Sequence, residues 1–504
     1  MVHALVTQID TSIDPQIGTP RQRYASRGIF SIRVLLVEEL DVKSRCGATL
    51  GGARVAGLWS VRTGVLSMVL VLGAWSPHAL AQVAAAAARK ASEAAAANAA
   101  ASSPAAKAPA VRAEFAEPME AAQALYREGK IAEAQAKLAA AASVPQLTPV
   151  ETMVLERTRA AIAQRQGDAP AVIRALEAAW ATGQVSAADE PAMLEALVGV
   201  ATKEKDHARV LKWAQRYQDI QGTNETIGLL RIQSQLATGD ERGALTALSE
   251  RIASTEKAGR QVPEAQIRLQ WQLQRKWADP AAGATLERLA TRFPKQEYWA
   301  AMVAPVAQRA GDNDRLLIEA FRVLRLSGGL SDADVREGMV ETALRLGQPG
   351  EALSVAEEGV AKGTYPKGPR AASQQKLIDQ ARKAVQLDQA DRKAAEAAAL
   401  KASNGEALVD LGWAEVAALP LGAPASAVQR GLSMIEQGLG RGGLKRATEA
   451  WLHLGVAQLL AGQKEVAKST LRSTLEQAQT LRDPLVDAVR LWYLWATATA
   501  ATAP

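Results

Sequence analysis

From residue 117 to the C-terminus, apolar positions recur three and four residues apart, with short breaks at regular intervals. That period places apolar side chains along one stripe of a helix, so the pattern predicts helices joined by tight turns. Runs of alternating β-branched residues, the mark of half-buried strands, are few. The breaks are Gly129, Gly167-Asp168, Lys205-Asp206 and Gly239-Asp240, spaced 38, 38 and 34 residues apart. Small or apolar residues follow each break at matching offsets: Ala134, Leu138 and Ala141 after the first; Val172, Leu176 and Ala179 after the second. Val210, Ala214 and Tyr217 follow the third, and Ala244 and Leu248 the fourth. Further units are expected over Pro263–Pro294, with Trp271, Trp277 and Leu289 as core, at Tyr298-Trp299 with a turn at Gly311-Asp312, and at Gly347 followed by Ala352 and Ala356. From Tyr365-Pro366 to Ser403 the pattern thins into a Lys/Gln/Ala-rich stretch, which predicts one or two long bridging helices. The pattern restarts at Leu411-Gly412 and is interrupted by the Pro420–Pro424 loop.

The clearest copy lies within Gly442–Ser473. Trp451, Leu454 and Gly455 fall at i, i+3 and i+4 of a first helix, Gly462 in a turn, and Ala467 and Leu471 in a second helix. Gly455 and Ala467 carry almost no side chain and permit close backbone approach, while Gly462 is free to end the helix in the left-handed region. In spacing this copy resembles the tetratricopeptide repeat (TPR), whose period is about 34 residues. Gln458 at the usual Tyr position, Leu471 for Phe, and Gln479 where Pro often stands are departures. The fold implied is all-α: a TPR-like right-handed superhelix of stacked hairpins. A last helix from Asp483-Pro484, with Leu485, Val489, Trp492 and Trp495 as its apolar stripe, is expected to cap the open end.

Composition refines this. The 504 residues are 48% hydrophobic and 22% charged, ordinary for a soluble protein, and only 4% aromatic. The formal charge is +6, but eight of the basic and five of the acidic residues precede residue 82, leaving +3 for the rest. That near balance gives no support for a nucleic-acid partner. Residues 61–81 (VRTGVLSMVLVLGAWSPHALA) read as a signal peptide: Arg62, then an apolar run from Val65 to Trp75, then Ala79-Leu80-Ala81 as a small-x-small cleavage pattern. Cleavage after Ala81 and a periplasmic location are expected, with an uncleaved signal anchor as the alternative. Residues 1–60 read as an extension from a misassigned start, 82–116 as an Ala/Pro-rich linker, 117–365 as a first array, 366–403 as the bridge, and 404–498 as the C-terminal repeats. The one cysteine, Cys46, precedes the signal, so the exported chain would lack thiol chemistry.

Searching for chemistry yields little. Beyond the signal, the histidines are His207 and His453, neither with a ligand-spaced partner. Gly438–Lys445 is glycine-rich, but no Gly-Lys-Ser/Thr completes a phosphate loop, and an inter-repeat turn is expected. No catalytic residue, cofactor or metal is therefore expected. TPR grooves that clamp a terminal carboxylate use Lys and Asn on the inner face of the first helices, where the best repeat has Leu452 and Val456. Arg157 with Arg165, and Arg268 with Arg275, are the candidates for a basic inner groove, against a merely solvated helix face.

Two segments carry a closer resemblance: Arg292-Phe293-Pro294-Lys295-Gln296-Glu297-Tyr298-Trp299, and Gly442–Gly462. There, and diffusely over 117–475, the chain resembles periplasmic TPR proteins of Gram-negative bacteria described as components of TonB systems. The resemblance implies a non-enzymatic scaffold beside the ExbB–ExbD–TonB motor, with other proteins as partners and the membrane met only through them. The alternative expectation is a scaffold for envelope polysaccharide or outer-membrane protein assembly.

Overall fold

The computed structural model describes residues 111–365 and 369–498, so the expected extension, signal peptide and most of the linker lie outside the described residues. The described residues form twenty helices and no strand. None is long and apolar enough to cross a membrane. Most pack as antiparallel neighbours in chain order. The chain divides into two compact units between Asp279 and Pro280, not at the bridging stretch.

The N-terminal unit holds α1 (Ala113–Arg127), α2 (Ile131–Ala142), α3 (Pro149–Gln166), α4 (Ala169–Ala181), α5 (Glu190–Lys203), α6 (His207–Asp219), α7 (Glu225–Ala237), α8 (Glu241–Lys257) and α9 (Glu264–Lys276). Helix α1 starts four residues before the expected body, because Phe115 is already core. The hairpin turns follow from their two residues. The first takes the left-handed conformation: Gly129, Gly167, Lys205 and Gly239 have φ of +80°, +75°, +55° and +84°. At three of these turns an aspartate then caps the second helix, Asp168 accepting from Ala171 N at 2.9 Å, Asp206 from Arg209 N and Asp240 from Gly243 N at 3.0 Å. Glycine adopts this backbone freely, whereas Lys205 bears a cost of about 1–2 kcal/mol there. Alanines at 0% exposure (Ala122, Ala134, Ala141) let α1 and α2 close on Phe115, Met119 and Leu138.

The start of this unit is stapled to its second hairpin. Glu151 closes a capping box on Thr148, accepting from its backbone N at 2.8 Å. The same carboxylate takes Arg112 Nε at 3.0 Å, Arg112 Nη2 at 2.7 Å and the Arg112 backbone N at 3.1 Å. The Arg112 hydrogen bond, foremost, lowers the Glu151 carboxyl to about 2.

The C-terminal unit holds α10 (Ala282–Arg292), α11 (Gln296–Ala310), α12 (Asp314–Leu326), α13 (Ala333–Arg345), α14 (Pro349–Ala361), α15 (Pro369–Lys401), α16 (Glu406–Ala417), α17 (Ala425–Arg441), α18 (Ala447–Leu460), α19 (Lys464–Leu481) and α20 (Val486–Thr497). The expected bridge is one helix of 33 residues, α15. Helices α16 and α17 pack backbone to backbone: a Cβ on Gly412 would lie 2.6 Å from the Gly431 carbonyl, and one on Gly431 equally close to that of Gly412. Helix α17 runs through Gly438 and Gly440 to Arg441, so the turn expected across Gly438–Lys445 is confined to its second half.

Helix α20 begins at Val486, two residues later than Pro484, with Asp483 accepting from Leu485 N at 2.8 Å. It covers α19 and also packs on α10, α11 and α12. Arg490 pairs with Glu287 at 2.8 Å, Arg309 with Asp487 at 2.7 Å, and the Trp495 and Trp299 rings lie 4.7 Å apart. The helix expected to cap an open end thus joins the last and first helices of its own unit.

Candidate functional site

The repeat-equivalent positions of the two units differ in burial.

In the C-terminal unit, α12 lies against α16, α18 and α20. Both its apolar and its charged positions are buried: Leu316, Ile318, Ala320, Phe321, Val323 and Leu324, and Glu319 and Arg322 with them. Glu319 is 2% exposed. It accepts from Arg322, from Trp492 Nε1 at 2.7 Å and from His453 Nε2 at 3.2 Å. Arg322 donates onward to Glu351 at 2.9 and 2.7 Å and to Gln348. The Trp413 ring lies between, with the Arg322 guanidinium 4.7 Å from its centroid and the His453 ring stacked at 3.9 Å. A second set of charges surrounds this clasp: Arg315 with Glu449 at 2.5 Å, and Arg446 with Glu406 and Asp410 at 2.5 and 2.7 Å. Burial alone would push the Glu319 carboxyl up, yet Arg322, His453 and the Trp492 N–H together hold it down to about 2.

His453 therefore has a carboxylate partner, Glu319, that lies 134 residues away in sequence. The cavity beside it, walled by Glu406, Asp410, Arg446 and Glu449, measures about 10 Å³, the lower limit for one water. Chemically, the arrangement ties five segments of the unit together, since each charged group spends its hydrogen-bonding capacity on another. Among the described residues no group of three or more His, Cys, Asp or Glu is placed to hold a metal ion.

Most residues singled out in the strongest repeat lie where its spacing places them. Leu454, Ala467 and Leu471 are buried, a Cβ on Gly455 would meet Leu471 at 2.6 Å, and Gly462 has φ +78°. Trp451 does not join them: it is 40% exposed. Leu452 and Val456, expected on an open inner face, are instead sealed at 0% and 1%. Both departures share one cause. Helix α18 meets α12 through His453 and Glu449 and also contacts α20, and with that side covered Trp451 is left on the outer one. Trp277, expected in the core, is likewise 42% exposed, with the Arg242 guanidinium 4.5 Å from its centroid.

In the N-terminal unit the equivalent positions stay open. Counting back from the left-handed turn residues Gly129, Gly167, Lys205, Gly239 and Ala278 aligns the first helices of the hairpins and α9. Six residues before the turn stand Gln123, Ala161, Gly199, Gln233 and Gln272, all half-buried. Two before it stand Arg127, Arg165, Lys203, Ala237 and Lys276, all exposed. Val456 and Leu452 occupy the offsets of six and ten in the strongest repeat.

The four arginines separate as follows. Arg157 and Arg268 share the offset of ten and are half-buried; Arg165 and Arg275 are exposed near their helix ends. Arg157 lies 3.5 Å from Asp189, Arg165 stacks 4.5 Å over Tyr126, and Arg275 lies 4.9 Å over Trp271. Adjacent first helices are therefore in contact along this face. Lys276 is spent on Glu241 at 2.6 Å.

No family model matches the chain, and no curated protein matches it.

Proposed function

We propose that this protein is a non-enzymatic TPR-like scaffold that holds other proteins along the inner face of its N-terminal unit. The observation that carries the reading is the repeat-equivalent row of half-exposed positions from Gln123 to Gln272, against sealed Leu452 and Val456 in the other unit. A row repeated once per hairpin favours an extended ligand and many shallow contacts. The location we propose is the periplasm, and the role an accessory of a TonB-dependent uptake system. Support for that role comes from the segments Arg292–Trp299 and Gly442–Gly462. Affinity capture of the tagged, crosslinked protein from its native host tests it. Recovery of ExbB, ExbD or TonB is the expected result. Recovery of polysaccharide or outer-membrane assembly machinery alone would replace the role while keeping the scaffold. Absence of any specific partner would contradict the scaffold itself.

A further inference from the structure

We infer that the inner face of the N-terminal unit recognises an acidic, extended polypeptide segment; this rests on the scaffold reading and adds the chemistry of the partner. Its charge is weighted to one sign. The offsets of two, three, ten and fourteen carry Arg127, Arg165, Lys203, Arg268 and Arg275, besides the paired Arg157 and Lys276, against Glu195, Glu264 and the paired Glu225. Glu195 is already engaged, accepting the Tyr217 hydroxyl at 2.8 Å.

Helix dipoles explain part of this, since cations favour the last turn of a helix. Arg157 and Arg268 fall outside that account. Arg157 sits mid-way along α3, and Arg268 is the fifth of the thirteen residues of α9, far from its last turn. Arg268, Arg165, Arg275 and Lys203 have no carboxylate partner among the described residues. Half-buried Arg268, one turn after Glu264, thus keeps a charge that no ion pair among the described residues balances. An anion from outside would supply that balance.

Two further features point to a polypeptide. Gln123, Gln233 and Gln272 share one offset, and their side-chain amides make no hydrogen bond within the described residues. Each offers a donor and an acceptor, the pair needed by the backbone of an extended chain. Between them stand Ala161 and Gly199. A Cβ on Gly199 would meet nothing within 4 Å, so no packing contact of the unit requires glycine there. Glycine inside a helix costs about 1 kcal/mol relative to alanine. Close approach of another backbone is what its bare surface permits.

The test uses the full-length exported protein and an extended fluorescein-labelled peptide of alternating glutamate and glycine. The controls are the lysine–glycine counterpart and an oligothymidylate of equal charge. Fluorescence anisotropy should show saturable binding of the glutamate peptide only, weakening as salt rises. The double variant Arg157→Glu with Arg268→Glu should weaken it by about tenfold or more. Gly199→Gln, which leaves every charge in place, should weaken it comparably by covering the face, and decides the matter if the double variant fails to fold. No binding of the glutamate peptide, or unchanged binding by folded variants, overturns the inference. Equal binding of the oligothymidylate also overturns it, in favour of a general polyanion surface. Should these fail while host capture still recovers partners, the scaffold stands and only the acidic-ligand inference falls.

Discussion

The helices facing inward in the two units use the same offsets from the same kind of turn, yet they end in opposite states. At the offset of six, the N-terminal unit places Gln, Ala, Gly, Gln and Gln, all partly open, whereas the strongest C-terminal repeat places Val456, which is sealed. The difference lies in what the chain lays against that face. In the C-terminal unit it lays α12, pinned through Glu319 and Arg322, with α20 returning alongside. The repeat-equivalent face thus stays open only where the rest of its unit leaves it uncovered. Motif quality does not decide this: the copy closest to the TPR spacing is the one whose groove is filled.

Breaking the clasp should have the largest effect. Glu319→Ala takes from buried Arg322 one of its two carboxylate acceptors, leaving Glu351 and Gln348, and removes the acceptor of Trp492 and His453. Loss of one member of a buried charged set costs about 3–5 kcal/mol. Hydrogen exchange should fall in protection across 282–497 while 113–276 stays unchanged. An equal loss in both units would contradict a clasp whose contacts all lie within the C-terminal unit.

Leu471→Ala comes next, at about 2–5 kcal/mol, because Leu471 is fully buried against Gly455. Urea denaturation checks it. Trp451→Ala, in the same repeat, should cost less than Leu471→Ala, since Trp451 is 40% exposed. The reverse order would mean that α18 packs as the repeat spacing suggests.

Acid should separate the units by different routes. Glu319 and Glu151 are both lowered to about 2, so each contributes stability above its unfolded value of about 4.3. That contribution fades as pH falls through about 4.3 towards 2. Near-UV circular dichroism of the clasp tryptophans should be flat from neutral pH to about 4.5 and decline below it. In Arg112→Ala the Glu151 carboxyl loses its principal donor, and protection of α1 should fall without change in the tryptophan signal. A tryptophan change in that variant would show coupling the account does not contain.

The hairpins were legible because their cause is local. A left-handed residue followed by Asp168, Asp206 or Asp240 ends one helix and starts the next within a few residues. The clasp was not legible, because Glu319, His453 and Trp492 are separated by 134 and 173 residues. In helix α12, DRLLIEAFRVLRL, the charges Arg315, Glu319 and Arg322 fall at i, i+4 and i+7 on one stripe, which reads as a solvated face because the pattern does not show what covers it. Trp492 and Trp495 read as a cap for the same reason: an apolar stripe shows that it is covered, not by what. Of the inner face, the four arginines were visible singly. The glutamine row and Gly199 emerge only once the turn residues set the register, as Lys205 and Ala278 hold the left-handed position without being glycine.

Cysteine-labelling rates compare the two faces most directly. In a Cys46→Ser background, Ala161→Cys and Gln233→Cys should react with a small maleimide in the native state, without prior unfolding. Leu452→Cys and Val456→Cys should react only as fast as the C-terminal unit unfolds. Rapid labelling at 452 or 456 in the native protein would mean that the C-terminal groove is open, and the contrast between the units would fall.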